Sequence, residues 1–430
     1  MDPAVFSFMT KNTSDISDAS LAAAGEARIE WADGQMPVLR SIRERFAADR
    51  PFDGLAVGAC LHVTAETANL MRALVAGGAT VSLCAANPYS TQDDVAAALV
   101  ANHGVSVRAQ HGESVERYAE HLSNVLDAGP NITLDDGADL VTVLHARNPS
   151  AAEALLGGTE ETTTGLLSLR AMEAAGDLKC PIVAVNESRT ERAFNDRYGT
   201  GQSALDGILR ATNILLAGRT VVVLGYGWTG KGIALRAAGL GGTVIVCEVD
   251  PMRALEARMD GFEVLPALQA AAKGDLFITV TGSVGVLGAE HFAQMKDGAL
   301  LANAGHFDVE IDIAALSASA ALTSEVRPLV KQYDVDGKRL NLIAGGRVVN
   351  LAAAEGHPAA VMDMSFATQA LSAARLAADN RLTVGVHAVP ADVDAQVAQL
   401  KLRSMNVEID SLNDDQRAYR HSWRPDADEA

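Results

Sequence analysis

The chain has 430 residues, 48% of them hydrophobic, which is enough for two or three domains with sizeable cores. A net charge of -19 disfavours nucleic acid and anionic membrane surfaces as partners, because neutralising phosphates takes clustered Lys and Arg. Cys60, Cys84, Cys180 and Cys247 form no CxxC pair and lie in or beside apolar runs, so they are expected to be reduced core residues, with no metal site implied. The opening MDPAVFSFMTKNTSD has no basic region followed by an apolar core, and no run approaches membrane-spanning length, so a cytoplasmic protein is expected.

From about Asp18 to Val185, helical patterns alternate with short apolar runs that predict strands at Leu55 to Cys60, Thr80 to Cys84, Leu140 to Leu144 and Ile182 to Val185. The alternation restarts between about Glu191 and Val349, with strands expected at Val221 to Leu224, Val244 to Cys247, Leu276 to Thr281 and Ala299 to Ala302. Beyond it, NLAAAEGHPAAVMDMSFATQALSAARLA reads as a loop feeding a helix, and the chain ends in a polar, helical tail. No internal repeat is evident.

The segment TVVVLGYGWTGKGIALRAAGLGGTVIVCEVD holds the most information. A buried-strand run is followed by Gly225, Gly227 and Gly230, at the three glycine positions of a dinucleotide fingerprint. They serve the tight turn, the approach to a pyrophosphate and the close packing of the next helix, whose N-terminus would hold the pyrophosphate. Glu248 follows the second strand, where a carboxylate accepts ribose hydroxyls and repels a 2′-phosphate, so NAD is expected rather than NADP. Glycines at such a turn can also serve packing alone.

Polar residues outside core periodicity gather in a few runs. CLHVTAETA places His62, Thr64, Glu66 and Thr67 just after a strand; LDDGADL holds Asp135, Asp136 and Asp139. GGTEETTTG holds Glu160 and Glu161 before Thr162, Thr163 and Thr164, while His306 and His357 stand in the glycine-flanked turns NAGHFD and EGHPAA. Each run has an ordinary structural reading as a turn, a cap or a helix N-terminus. Beside a dinucleotide fold they are also the residue types that move protons near a hydride-transfer cofactor.

These runs, with NPYSTQDD, YGTGQSALDGI, GYGWTGKG, EVDP, MKDG, NAGHFDVEID and LAAAEGHPAAVMDMSF, resemble the S-adenosylhomocysteine hydrolase family over nearly the whole chain. YGTGQS and the short C-terminus are similar to its branch without an insertion and a Lys/Tyr tail. The resemblance implies an α/β protein: a Rossmann NAD-binding domain at 191-349, a substrate domain at 1-190 and 350-385, and a helical tail at 386-430 making oligomer contacts. Closure about a hinge near Asn186 to Glu191, with a return crossing near Asn350, would exclude water. It also implies a purine nucleoside substrate and a homodimer or homotetramer. NAD would act as a catalytic cofactor: the 3′-hydroxyl is oxidised, the acidified 4′-proton removed, the 5′-substituent eliminated, water added, and the ketone reduced. By similarity, Asp136 and His62 handle protons at the 4′ and 5′ carbons, His306 assists water or the leaving group, and Glu161 fixes sugar hydroxyls. Thr64, Glu66, Thr67, His357 and Met362 would contact the nucleoside. Thr162, Thr163, Thr164, Thr229, Ser283, Asn303 and Asn350 would join the fingerprint residues around the cofactor.

The chain departs from the family in NESRTERAFNDRYGTG. Glu191 stands where the family has a lysine assisting 3′-oxidation, and the Asp-Asn pair after it is inverted as Asn195-Asp196. A unit charge pair near 4 Å is worth roughly 4 kcal/mol at an effective dielectric of about 20, so the reversal of sign is large. Glu191 is therefore expected to be protonated, turned away, or facing a differently shaped substrate. Ser283 also replaces a usual asparagine. Glu191 together with Asn195 and Asp196 favours, as an expectation, a nucleoside dehydratase that loses 5′-water, as an angustmycin-type nucleoside antibiotic would require. Ordinary hydrolysis of S-adenosylhomocysteine is the alternative, and a non-catalytic NAD-binding regulator the third reading.

Overall fold

The computed structural model describes residues 14–378 and 382–421. Most of the opening segment read for a leader, residues 1–13, and the end of the tail, residues 422–430, lie outside the described residues. Two eight-stranded sheets organise the rest.

The first sheet contains β1 (Asp15–Ile16), β2 (Ala56–Cys60), β3 (Thr80–Cys84), β4 (Ser106–Ala109), β5 (Ile132–Asp135), β6 (Gly157–Glu160) and β7 (Pro181–Ala184). The second contains β8 (Thr220–Leu224), β9 (Thr243–Cys247), β10 (Glu263–Val264), β11 (Leu276–Thr279), β12 (Leu300–Asn303), β13 (Ala320–Arg327), β14 (Val330–Val335) and β15 (Lys338–Ile343). A last strand, β16 (Gly385–Ala388), returns to the first sheet beside β7. The orders are β1-β4-β3-β2-β5-β6-β7-β16 and β10-β9-β8-β11-β12-β15-β14-β13. The first is parallel throughout, and the second ends in the antiparallel run β13-β14-β15. Val221, Val222, Val223, Ile132 and Leu134 are almost wholly buried, as expected of strands covered on both faces. Each such side chain contributes about 1.5–3 kcal/mol by leaving water.

The predicted strand at Leu140 to Leu144 is a helix, Asp139–Arg147, and the strand lies earlier, at β5. The Asp135 carboxylate decides this, accepting the backbone N–H of Leu140 and Val141 at 3.0 Å each and so capping the helix from the end of β5. Leu140, Val141 and Leu144 then share one buried face, an arrangement a short apolar run does not distinguish from a strand. The tail is not helical throughout either. It supplies part of β16 before the helices Ala391–Ser404 and Asp414–His421, and the first of these packs on the helices Pro37–Asp49 and Ala359–Ala378. All four cysteines are buried and unpaired. Among the described residues no helix is long and apolar enough to cross a membrane.

In the parallel core of each sheet the strand order reverses, β2 beside β5 and β8 beside β11. The strands diverge at such a point and leave a crevice at their C-terminal ends, the usual ligand position in open α/β sheets. Both crevices open on one cavity of about 1270 Å³, lined by His62 and Asp136 from the first sheet and by Gly225 and Thr281 from the second.

Candidate active site

On the second-sheet side, the fingerprint glycines separate by cause. Gly225 has φ +105, and a Cβ there would meet Val280 O at 2.7 Å; at Gly230 it would meet Gly225 O at 2.0 Å. Backbone conformation and helix packing therefore require both. Gly227 has φ -69, and its Cβ would meet only Arg253 Nη1, at 3.8 Å. Nothing in the protein demands glycine at 227, and the cavity lies in front of it at the N-terminus of the helix Trp228–Gly239. That space suits a pyrophosphate. Glu248 lines the same region, fixed by the N–H groups of Tyr226 and Val249 at 2.7 Å and of Asp250 at 3.0 Å.

Asn350 faces the cavity with a buried Oδ1 that has no donor, a second feature suited to a ligand amide. Thr162, Thr163, Thr164, Thr229 and Ser283 also line it. Thr162 is at the same time the N-cap of the helix Thr163–Ala175, its Oγ1 accepting from Gly165 N at 3.0 Å, as the ordinary reading of the threonine run expects. Gly230 and Asn303 lie behind the cavity wall. Asn303 instead shapes the NAGHFD turn, accepting from Gly305 N at 2.9 Å and donating to Phe307 O at 2.8 Å. Glu310 was not singled out by sequence reasoning. Buried, it accepts from Thr281 N at 2.9 Å, Thr281 Oγ1 at 2.8 Å and Gly282 N at 2.9 Å, and so holds the cavity-lining Thr281-Gly282 turn.

At the first sheet's switch point, Cys60 of β2 pairs in register with Asp135 of β5, which carries the chain to His62 and Asp136 on neighbouring strand ends. His62 Nε2 lies 3.4 Å from Asp136 Oδ2. Ser90 Oγ donates to Asn87 O at 3.0 Å and therefore accepts the Nδ1 proton of His62, 2.7 Å away. Of LDDGADL only Asp136 faces the cavity, because Asp135 caps a helix and Asp139 accepts the hydroxyl of Tyr118 at 2.5 Å. Burial pushes Asp135 up to about 7. His306 stands across the cavity, its imidazole held below the usual range by burial and by repulsion from His62, against the opposing pull of Asp136.

Thr64 caps the helix Ala65–Ala76 and places Glu66 and Thr67 in its first turn, all three on the cavity wall. Burial raises the Glu66 carboxyl. His357 is pushed down to about 4 by burial, so it is neutral at pH 7 and hydrogen-bonds Thr200 Oγ1 through Nε2 at 2.9 Å. Met362 completes this end.

Glu191 opens a π-helical stretch, Glu191–Thr200, a distortion often found at functional sites. It is turned inward, 2% exposed, with Oε1 accepting from Asn195 Nδ2 at 3.1 Å. Oε2 is buried without a hydrogen-bond partner of its own, and Ser365 and the carboxyl group of Glu161 lie against the same side chain. Glu161, Asn195 and Asp196 line the cavity, and Glu191 lies behind them. Burial, with the charge of Asp196, pushes Glu191 up to about 8; burial pushes Asp196 up to about 7. Glu161 accepts from Ser365 Oγ and Gln369 Nε2, both on the helix Ala359–Ala378. Sequence reasoning missed these two. Their signal is the spacing of Met362, Ser365 and Gln369 on one face of that helix, with two polar residues where a core face would be apolar.

The family profile for "S-adenosyl-L-homocysteine hydrolase" matches residues 13–154, and that for "S-adenosyl-L-homocysteine hydrolase, NAD binding domain" matches residues 196–356. The chain is 56% identical over 411 residues to the adenosylhomocysteinase of Aquifex aeolicus, covering 95% of this chain and 98% of that protein. It is 52% identical over 408 residues to the S-inosyl-L-homocysteine hydrolase of Methanosarcina mazei, covering 95% and 99%. Among solved structures, a dipicolinate synthase from Bacillus halodurans aligns with a TM-score of 0.50 at 15% identity, over 76% of this chain and all of that one, a likeness of fold alone.

Proposed function

We propose that this chain, which belongs to the S-adenosyl-L-homocysteine hydrolase family and is an NAD-dependent enzyme, reversibly hydrolyses a purine-nucleoside thioether of homocysteine. The observation carrying this reading is the His62–Asp136 pair at one switch point, facing the Gly227 cleft of the other across a single cavity. When bound, the nicotinamide supplies a hydride acceptor and donor for the 3′-carbon. The open space at Gly227, the carboxylate of Glu248 and the orphan Oδ1 of Asn350 would hold that cofactor.

Asp136 would take the 4′-proton once a ketone at C3′ has acidified it, and His62, its Nδ1 proton fixed on Ser90, would carry a proton at the 5′ side through Nε2. His306, kept neutral by burial, would accept a proton from water or give one to the leaving group. Glu161 would anchor the sugar hydroxyls, while Glu66 and His357 would meet the base. The relatives' names favour a homocysteine thioether and allow adenine or hypoxanthine as that base.

A second reading, the dehydratase favoured from sequence, rests on Glu191 together with Asn195 and Asp196 and has less support than hydrolysis from the relatives. Its motivation is the carboxyl buried where the resemblance expects an ammonium. One experiment separates the readings: free thiol released from S-adenosyl- and S-inosyl-homocysteine, beside mass-spectrometric detection of water loss from 5′-hydroxylated nucleosides. Rapid thiol release is expected. Dehydration without thiol release overturns hydrolysis in favour of the second reading, and Glu191→Lys should then move activity toward thiol release. No NADH signal and no 4′ deuterium exchange with any of these compounds overturns both enzymatic readings.

A further inference from the structure

The contact between Glu161 and Glu191 brings together two carboxyl groups withdrawn from water. At about 3 Å and an effective dielectric of about 20, two negative charges would repel by roughly 5–6 kcal/mol, so one proton must remain between them. Glu161 receives Ser365 on Oε1 and Gln369 on Oε2, while Glu191 receives Asn195 on Oε1 and keeps a buried Oε2 without a partner of its own, open to a proton shared with Glu161.

We propose that Glu161 and Glu191 form a pair holding one shared proton, in which Glu191 is the positioning residue and Glu161 is the group that accepts a sugar hydroxyl's proton while the shared one rests on Glu191 Oε2. This rests on the reading that a sugar hydroxyl is oxidised in this cavity. The hydroxyl O–H bond breaks and its proton goes to Glu161; the oxygen keeps the electron pair to form the carbonyl as the hydride leaves carbon for the family's NAD. The pair passes from one bound proton to two, and reduction of the ketone reverses the change. The pair thus supplies from two carboxyls what the resemblance assigns to a lysine.

The charged groups facing the pair are Asp136 across the cavity, and Asp196 and Arg192 on the π-helical stretch. Arg192 lies 3.3 Å from Glu187, and the neighbours from the helix Ala359–Ala378, Ser365 and Gln369, are neutral. Burial first, then mutual repulsion and Asp136, hold Glu161 well above the ordinary carboxyl range.

Infrared spectroscopy of protein carrying ¹³C-labelled glutamate, with NAD bound, tests the pair without turnover. At pH 7 the wild type should show a carboxylic-acid C=O band that Glu191→Gln weakens by the equivalent of one group. The glutamine keeps the shape and can donate its amide N–H to Glu161. Activity supplies the second readout: the wild-type rate should fall as pH rises through about 8, where Glu191 loses its proton and Glu161 its fixed position, and Glu191→Gln should lose this alkaline limb. An absent band, a band undiminished in the variant, or an unchanged alkaline limb overturns the inference. A band that behaves as expected, with no nucleoside turned over by either protein, overturns the proposed function and keeps the shared proton.

Discussion

His62 Nε2 faces Asp136 Oδ2 at 3.4 Å, and Ser90 fixes the imidazole from the opposite nitrogen. Because Ser90 spends its own proton on Asn87 O, His62 keeps its proton on Nδ1, donating it to Ser90 Oγ, and Nε2 is left to exchange protons beside Asp136. Three short segments of chain thus fix one tautomer at one switch point.

Asp136→Asn should leave bound NAD intact and still permit its reduction by substrate, while slowing exchange of the 4′-hydrogen with solvent deuterium by roughly 10²–10⁴-fold. Ser90→Ala removes one hydrogen bond and should cost about 2- to 13-fold, from a loss of roughly 0.5–1.5 kcal/mol. Exchange measured by mass spectrometry at a wild-type rate in Asp136→Asn would assign the base elsewhere.

Gly227→Val should fold with an unchanged melting temperature in the NAD-free state, since its nearest protein neighbour is 3.8 Å from the added Cβ, but should retain no NAD after purification. Gly230→Val should instead fail to fold, with backbone only 2.0 Å from its Cβ. Stoichiometric NAD in the Gly227 variant, read by absorbance after denaturation, would count against the cleft.

Glu310→Ala removes the acceptor for two N–H groups and a hydroxyl on the Thr281-Gly282 turn. A buried donor left unpaired costs about 1–3 kcal/mol, so NAD affinity should fall about tenfold or more. Calorimetric titration of NAD-free protein checks this, and unchanged affinity would make Glu310 a purely structural residue.

His121 lies between Glu113 Oε2 at 2.7 Å and Asp15 Oδ2 at 3.1 Å, joining the helix Val115–Asp127 to the edge strand β1. Burial opposes its charge, but hydrogen bonds to Glu113 and Asp15 outweigh burial and raise its pKa. Its contribution to stability is therefore full below the unfolded value of about 6.5 and is lost as pH rises through the raised folded value. Asp15 contributes in the other direction: its pKa is lowered, so its share is lost as pH falls below about 3.9. His121→Ala should lose the alkaline decline in melting temperature and cost about 3–5 kcal/mol by stranding the buried Glu113. A parallel pH profile for wild type and variant would show that the triad does not titrate in this way.

The fingerprint, the strands around it and most cavity-facing polar residues were legible in the sequence because each depends on a few neighbouring positions. Gly225, Gly227 and Gly230 lie within one turn, and Val221 to Leu224 and Val244 to Cys247 are runs whose burial follows from composition. The strand assigned to Leu140 to Leu144 failed because Asp135, outside the run, turns it into a helix through its own side chain. Within LDDGADL and NAGHFD, the sequence marked the runs, and tertiary structure separated Asp136 and His306, which face the cavity, from Asp135, Asp139 and Asn303, which do not. The substitution at 191 was visible as a reversal of charge. That Glu191 turns inward against Glu161, itself held by Ser365 and Gln369 from more than 200 residues away, was decided only when the helix Ala359–Ala378 packed over the first sheet and closed the group from water. Local propensity sets strands, turns and caps; the protonation of a buried carboxyl depends on which distant groups the fold places around it.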